Sequence, residues 1–127
     1  MISIRKSTKS FKYAFRGIYF LFKNENNARI HLLASVIVIV LGFYFGITSA
    51  EWLWIAFSIG LVWIGEALNT AIEKLVDLVS PGFNPKAGEI KDLAAGAVLI
   101  AAGVAVVVGI LVFKDYVFDT IGSLYLK

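Results

Sequence analysis

Five polar residues recur through one stretch of the chain: Glu66, Asn69, Thr70, Glu73 and Asp77, at offsets of 0, 3, 4, 7 and 11 residues. With 3.6 residues per helical turn these offsets share one face of a helix. Glu66 and Asn69 lie inside an otherwise apolar run, where an ionisable group costs several kcal/mol and is a functional candidate by default. A partly desolvated carboxylate there suits removal of a proton from a hydroxyl near neutral pH. Lys91-Asp92 precede the next apolar run and are expected at a helix N-terminus, where unpaired N–H groups and the helix dipole favour phosphate. Glu25, Glu73, Asp77 and Asp92 offer hard oxygen ligands on the same membrane face, a set that suits Mg²⁺ beside a polyphosphate. An ordinary solvated helix end accounts for Glu73, Asp77 or Asp92 taken singly, but not for Glu66 with Asn69.

The elements that carry these residues follow from composition. Of 127 residues 59% are hydrophobic and 17% charged, too apolar for a soluble domain of this size. With no cysteine and one histidine, a disulfide framework, a thiolate nucleophile and a multi-histidine metal site are excluded. Neither G-x-x-x-x-G-K-S/T nor a strand followed by G-x-G-x-x-G occurs, which excludes the usual soluble nucleotide folds by motif. Met1 to Lys23 lacks an uninterrupted apolar core and a small-residue cleavage site, so the whole chain is expected to be mature.

A membrane helix needs roughly 20 mostly apolar residues to cross roughly 30 Å of hydrocarbon. Ile30–Ala50, Trp52–Ile72 and Leu93–Phe113 meet that demand, and Glu66 is then roughly 10 Å deep at a rise of about 1.5 Å per residue. Before them Phe11, Ala14, Phe15, Ile18 and Phe22 recur at helical spacing among Lys9, Lys12, Arg16 and Lys23, a pattern for a helix lying in the interface. The expected fold is an all-α membrane protein of one domain, 1–127: an amphipathic surface helix in 1–28, then spans at 29–50, 52–72 and 93–113. The second span runs on into a cytoplasmic extension. A cytoplasmic N-terminus puts ten of the 12 basic residues inside, leaving only Lys114 and Lys127 outside, as the positive-inside rule requires. Ala97, Ala101, Ala105 and Gly109 form a small-residue ridge that permits close helix packing, within one chain or between copies. Trp52, Trp54 and Trp63 are expected to anchor and pack, with no cofactor role.

The run 66–77, Glu-Ala-Leu-Asn-Thr-Ala-Ile-Glu-Lys-Leu-Val-Asp, resembles the E-x-x-N-S/T-A-I-E-x-x-x-D signature of prokaryotic diacylglycerol kinases and the related undecaprenol kinases. The run 91–98, Lys-Asp-Leu-Ala-Ala-Gly-Ala-Val, resembles that family's K-D-x-A/G-A/S-x-A-V stretch. Glu25-Asn26-Asn27-Ala28-Arg29-Ile30-His31 resembles the E-x-N-x-R-x-H segment of the undecaprenol branch. With Arg16-Gly17, the resemblance covers nearly the whole chain. It implies a multi-pass homotrimer of the bacterial inner membrane, with active sites shared between subunits. Such an enzyme moves the γ-phosphoryl of MgATP onto the hydroxyl of diacylglycerol or undecaprenol at the cytoplasmic face, and no nucleic-acid partner is implied. Glu66 matches the general base. Glu25 and Glu73 match the carboxylates that hold the metal. Asn69, Asp77, Gly88, Lys91 and Asp92 are expected to line the nucleotide site, and Arg29, with Glu66 and Asn69, the lipid acceptor. The chain departs from enterobacterial-type members at Gly82 and Asn84, where they carry an acidic residue and a histidine. His31 replaces an acidic residue of that type, a substitution that points to the undecaprenol branch.

Two other classes compete on residues alone. A small proton-coupled transporter also needs one intramembrane carboxylate, but it has little use for Glu25, Glu73, Lys91 and Asp92. A membrane scaffold explains the small-residue ridge and leaves Glu66 and Asn69 without a task.

Overall fold

A computed structural model describes residues 1–126, all of whose regular structure is helical. Lys127, counted above among the external basic residues, lies outside the described residues. Four helices follow one another: α1 (Ile4–Asn24), α2 (Asn26–Phe45), α3 (Ser49–Val79) and α4 (Pro85–Tyr125). The last three are long and apolar enough to cross a membrane. Among the described residues there is no fully buried large side chain. Leu33, Ile37 and Val40 of α2, Leu53, Phe57 and Ile64 of α3, and Leu99, Val106 and Ile110 of α4 are instead exposed, as suits helices whose solvent is lipid.

Two helix boundaries differ from the hydropathy reading. The first span was expected to reach residue 50, but α2 ends at Phe45 because Gly46 adopts φ 63°, ψ 48°, a left-handed conformation that glycine takes without a Cβ penalty. Thr48 then caps α3: its hydroxyl accepts from Glu51 N–H at 3.2 Å, and the Glu51 carboxylate accepts from Thr48 N–H at 2.8 Å. This reciprocal capping box starts α3 inside the window assigned to the first span. At the other end, Asn84 accepts from Lys86 N–H at 3.0 Å and Pro85 occupies the first turn, where its missing N–H is harmless. So α4 begins eight residues before Leu93. Its 41 residues extend about 61 Å, twice the hydrocarbon thickness.

The most extensive packing joins α3 to α4. On α4 Ala94, Ala101 and Val112 are buried, and half-buried Val98, Ala105 and Val108 fall between them, alternately four and three residues apart, a spacing that suits a packing seam. A Cβ placed on Gly65 would stand 3.9 Å from that of Ala101, in ordinary contact. The ridge read from the sequence is therefore only partly at the contact: Ala101 is buried, Ala105 and Gly109 are half-buried and Ala97 is exposed. A strict four-residue repeat drifts around a helix, and a repeat of about 3.5 stays on the seam. Away from the acidic stripe, Ile47, Ile55 and Val112 form a buried cluster with Phe45, Trp52 and Tyr116 against it.

Candidate active site

The stripe on α3 forms as its spacing predicts and grades from buried to exposed. Glu66, Asn69 and Thr70 are buried, at 3%, 8% and 6% exposure. Glu73, a turn further on, is half-buried, and Asp77 is exposed. The carboxamide of Asn69 donates from Nδ2 to Glu73 Oε1 at 3.3 Å, and its buried Oδ1 has no partner among the described residues. A buried acceptor left unpaired costs about 1–3 kcal/mol.

Glu25 stands at the corner between α1 and α2 with extended backbone, φ −104°, ψ 117°, and its side chain makes no capping bond. Like Glu73, it is half-buried. Three basic side chains of these segments already have partners of their own. Lys91 is ion-paired with Asp77, and Lys74 lies 4.4 Å from the ring centre of Phe20. Arg29 donates from Nε to Phe22 O at 2.9 Å and from Nη2 to Lys23 O. Arg29, expected at the lipid acceptor, therefore caps the last carbonyls of α1, and these bonds occupy two of the five N–H donors of its guanidinium.

Lys91 and Asp92 part company. Because α4 starts at Pro85, their backbone N–H groups lie beyond its first four residues and are not the free donors expected at a helix N-terminus. Lys91 reaches α3 through Asp77. Asp92, about 100° further round the helix, lines a groove on α4 with Glu89, Leu93, Gly96, Ala97 and Ile100. Gly88 is exposed, with open space where a Cβ would be. Among the described residues no three Asp, Glu or His side chains converge as a ready-made metal cage. Mg²⁺ rarely uses one, relying on one or two carboxylates plus substrate phosphates, and Glu25 with Glu73 fit that mode.

Three features escaped the sequence reading. Trp63 donates from Nε1 to Ser35 Oγ at 3.1 Å, and Ser35, itself buried, donates to His31 O at 2.7 Å. Phe22 meets the same indole edge-to-face, with centroids 5.0 Å apart. An apolar groove of about 630 Å³ between α2, α3 and α4 runs from His31 and Ser35 past Val62, Ala105 and Gly109 to Phe118. The hydroxyl of Ser35, in the middle of an apolar stretch, was the available signal.

Residues 12–113, from α1 into α4, match the family model described as prokaryotic diacylglycerol kinase. The chain is 40% identical over 105 residues to the undecaprenol kinase of Bacillus subtilis, covering 83% of this chain and 85% of that one. It is 42% identical over 101 residues to a diacylglycerol kinase of Synechocystis, covering 79% of this chain and 58% of that longer one. A diacylglycerol kinase of Haemophilus influenzae is 35% identical over 106 residues, with 82% and 90% covered. These relatives, named as kinases of undecaprenol and diacylglycerol, put the chain in the class of membrane lipid phosphotransferases. The chain belongs to the prokaryotic diacylglycerol kinase family, and the transporter reading finds no support among these relatives.

Proposed function

We propose that the chain transfers the γ-phosphoryl of MgATP to the hydroxyl of a membrane lipid, diacylglycerol or undecaprenol, at the cytoplasmic face of the bacterial inner membrane. The observation that carries this reading is Glu66, 3% exposed inside a membrane-length helix, on a stripe that climbs through Asn69 and Glu73 to the paired Asp77 and Lys91. A lipid hydroxyl and a water-soluble phosphate donor need a site open to both phases, and such a stripe supplies it.

In this reading Glu66 accepts the proton of the lipid hydroxyl as its oxygen attacks the γ-phosphorus. The new O–P bond forms as the bond to the bridging oxygen of ADP breaks, and Glu66 later releases its proton. Asn69 Oδ1 accepts a hydrogen bond from the acceptor or the nucleotide sugar, holding it in line. Glu25 and Glu73 would hold Mg²⁺, which neutralises phosphate charge during transfer. Lys91, released in part from Asp77, pairs with phosphate. Asp92 and Gly88 complete the nucleotide side, and because Asp92 lines the outer groove of α4, it would serve the site of an adjacent subunit in a homotrimer. Ten cytoplasmic basic residues, six of them ahead of residue 25, favour the inward orientation of the site.

The test is transfer of labelled phosphate from MgATP in mixed micelles, with diacylglycerol and undecaprenol offered separately. Glu66→Gln is expected to lower turnover by about 10²–10⁴-fold, the usual worth of a general base, without loss of folded protein. Folded wild type that phosphorylates neither lipid refutes the reading.

A further inference from the structure

We infer that Trp63 is a positioning residue of this site: its indole ties α1 and α2 to the catalytic helix and so fixes the end of α1 over Glu66. The inference rests on the lipid-kinase reading for its kinetic consequences, though not for its geometry.

Three helices meet at this one side chain. Trp63 belongs to α3 one turn before Glu66, and residues three apart share a helix face. Its N–H donates to Ser35 Oγ of α2 at 3.1 Å, and its ring takes the edge of Phe22 of α1 at 5.0 Å and 67°. Ser35 is oriented to receive that bond because its own hydroxyl proton is committed to His31 O at 2.7 Å. In a hydrocarbon surround neither group has water as an alternative partner, so the pair resists opening.

Phe22 is held from both sides. While the indole takes its ring, Arg29 Nε takes its carbonyl at 2.9 Å. Two residues earlier, the ring of Phe20 lies against Lys74, 4.4 Å from its ammonium. The final turn of α1 therefore touches α3 at Trp63 and at Lys74, and Glu66, Asn69 and Glu73 fall between those two contacts. Glu25 follows directly on that turn. Any looseness at Trp63 moves the end of α1, and with it Glu25, relative to Glu66 and Glu73. A misplacement of about 1 Å costs up to about 10²-fold in rate.

Trp63→Phe keeps an aromatic ring and removes the N–H. It is expected to lower kcat by about tenfold with KM for MgATP changed less than twofold, because alignment rather than nucleotide binding is lost. Ser35→Ala should cost the same, and the double variant no more than either alone. The chain has no cysteine, so Phe20→Cys with Lys74→Cys can be bridged by a short thiol crosslinker. Crosslinking yield should fall in Trp63→Phe, a geometric readout that needs no turnover. In the crosslinked fraction kcat should return toward that of the crosslinked chain with Trp63 intact. Unchanged yield, unchanged kcat, or a slow Trp63→Phe that bridging leaves slow would each overturn the inference. If wild type shows no kinase activity while crosslinking still depends on Trp63, the proposed reaction fails and the tie stands.

Discussion

The hydroxyl of Tyr116 donates to Glu51 Oε2 at 2.7 Å, so the carboxylate that closes the capping box at the start of α3 also receives α4. The bond joins residues 65 apart in sequence, at the end of the bundle remote from Glu66. Tyr116→Phe keeps the ring packed near Phe45, 5.7 Å away, and removes only the bond. The variant should unfold a few degrees lower in a detergent thermal melt while retaining wild-type phosphate transfer at low temperature. Loss of transfer without loss of stability would contradict a purely structural role.

Gly42 is the second point at which the remote end is fixed. A Cβ there would stand 2.6 Å from Trp52 Cη2 and 3.2 Å from Ile47 Cδ1. The indole has little freedom to retreat, since the ring of Phe43 lies tilted against it with centroids 4.9 Å apart. Gly42→Ala should therefore destabilise by about 1–3 kcal/mol, as overpacking does, read as a lower midpoint in denaturant titration of the purified protein. Adding Trp52→Phe should recover part of that loss, because the atoms that clash belong to the six-membered ring of the indole.

What could be read beforehand was whatever depends on period and mean hydropathy within one segment. The α3 stripe and the three spans are of that kind, since each is local and repeats. The ends of α2 and α4 were misplaced because a hydropathy window averages across a tight turn and registers only the apolar part of a helix. The local signals were present: Gly46, the Thr48–Glu51 pair, and Asn84 before Pro85 are stop and start codes. The Trp63–Ser35 and Tyr116–Glu51 bonds depend on the register of one helix against another. Nothing in either segment alone encodes that register.

Lys91 and Asp77 form an exposed pair, with side chains 38% and 64% accessible, and such pairs contribute only about 0–1 kcal/mol. Breaking it should hardly move the melting curve. If Lys91 exchanges this partner for phosphate during turnover, Lys91→Ala should raise KM for MgATP about tenfold, the loss of one charge-assisted contact of about 1.4 kcal/mol. Asp77→Asn should act less strongly, because it leaves the ammonium in place. Equal effects from the two variants would assign the pair to structure instead.

Asn69 separates stability from activity most sharply. Its Oδ1 is buried and has no partner among the described residues, and its Nδ2 bond to Glu73 is long at 3.3 Å. Replacement by alanine removes the orphaned acceptor together with that weak bond. Cavity formation offsets part of the gain, so Asn69→Ala should fold with stability within about 1 kcal/mol of wild type. Asn69→Asp should do worse, because it buries a second carboxylate beside Glu66 and Glu73. For turnover the order is different: both variants lose the neutral carboxamide to which the proposed reaction gives a positioning role, and kcat/KM should fall about 10–100-fold in each. Parallel thermal melts and transfer assays decide the matter. Should Asn69→Ala instead lose stability and activity together, the carboxamide would be a structural strut, and its vacant oxygen would not mark the place of a ligand.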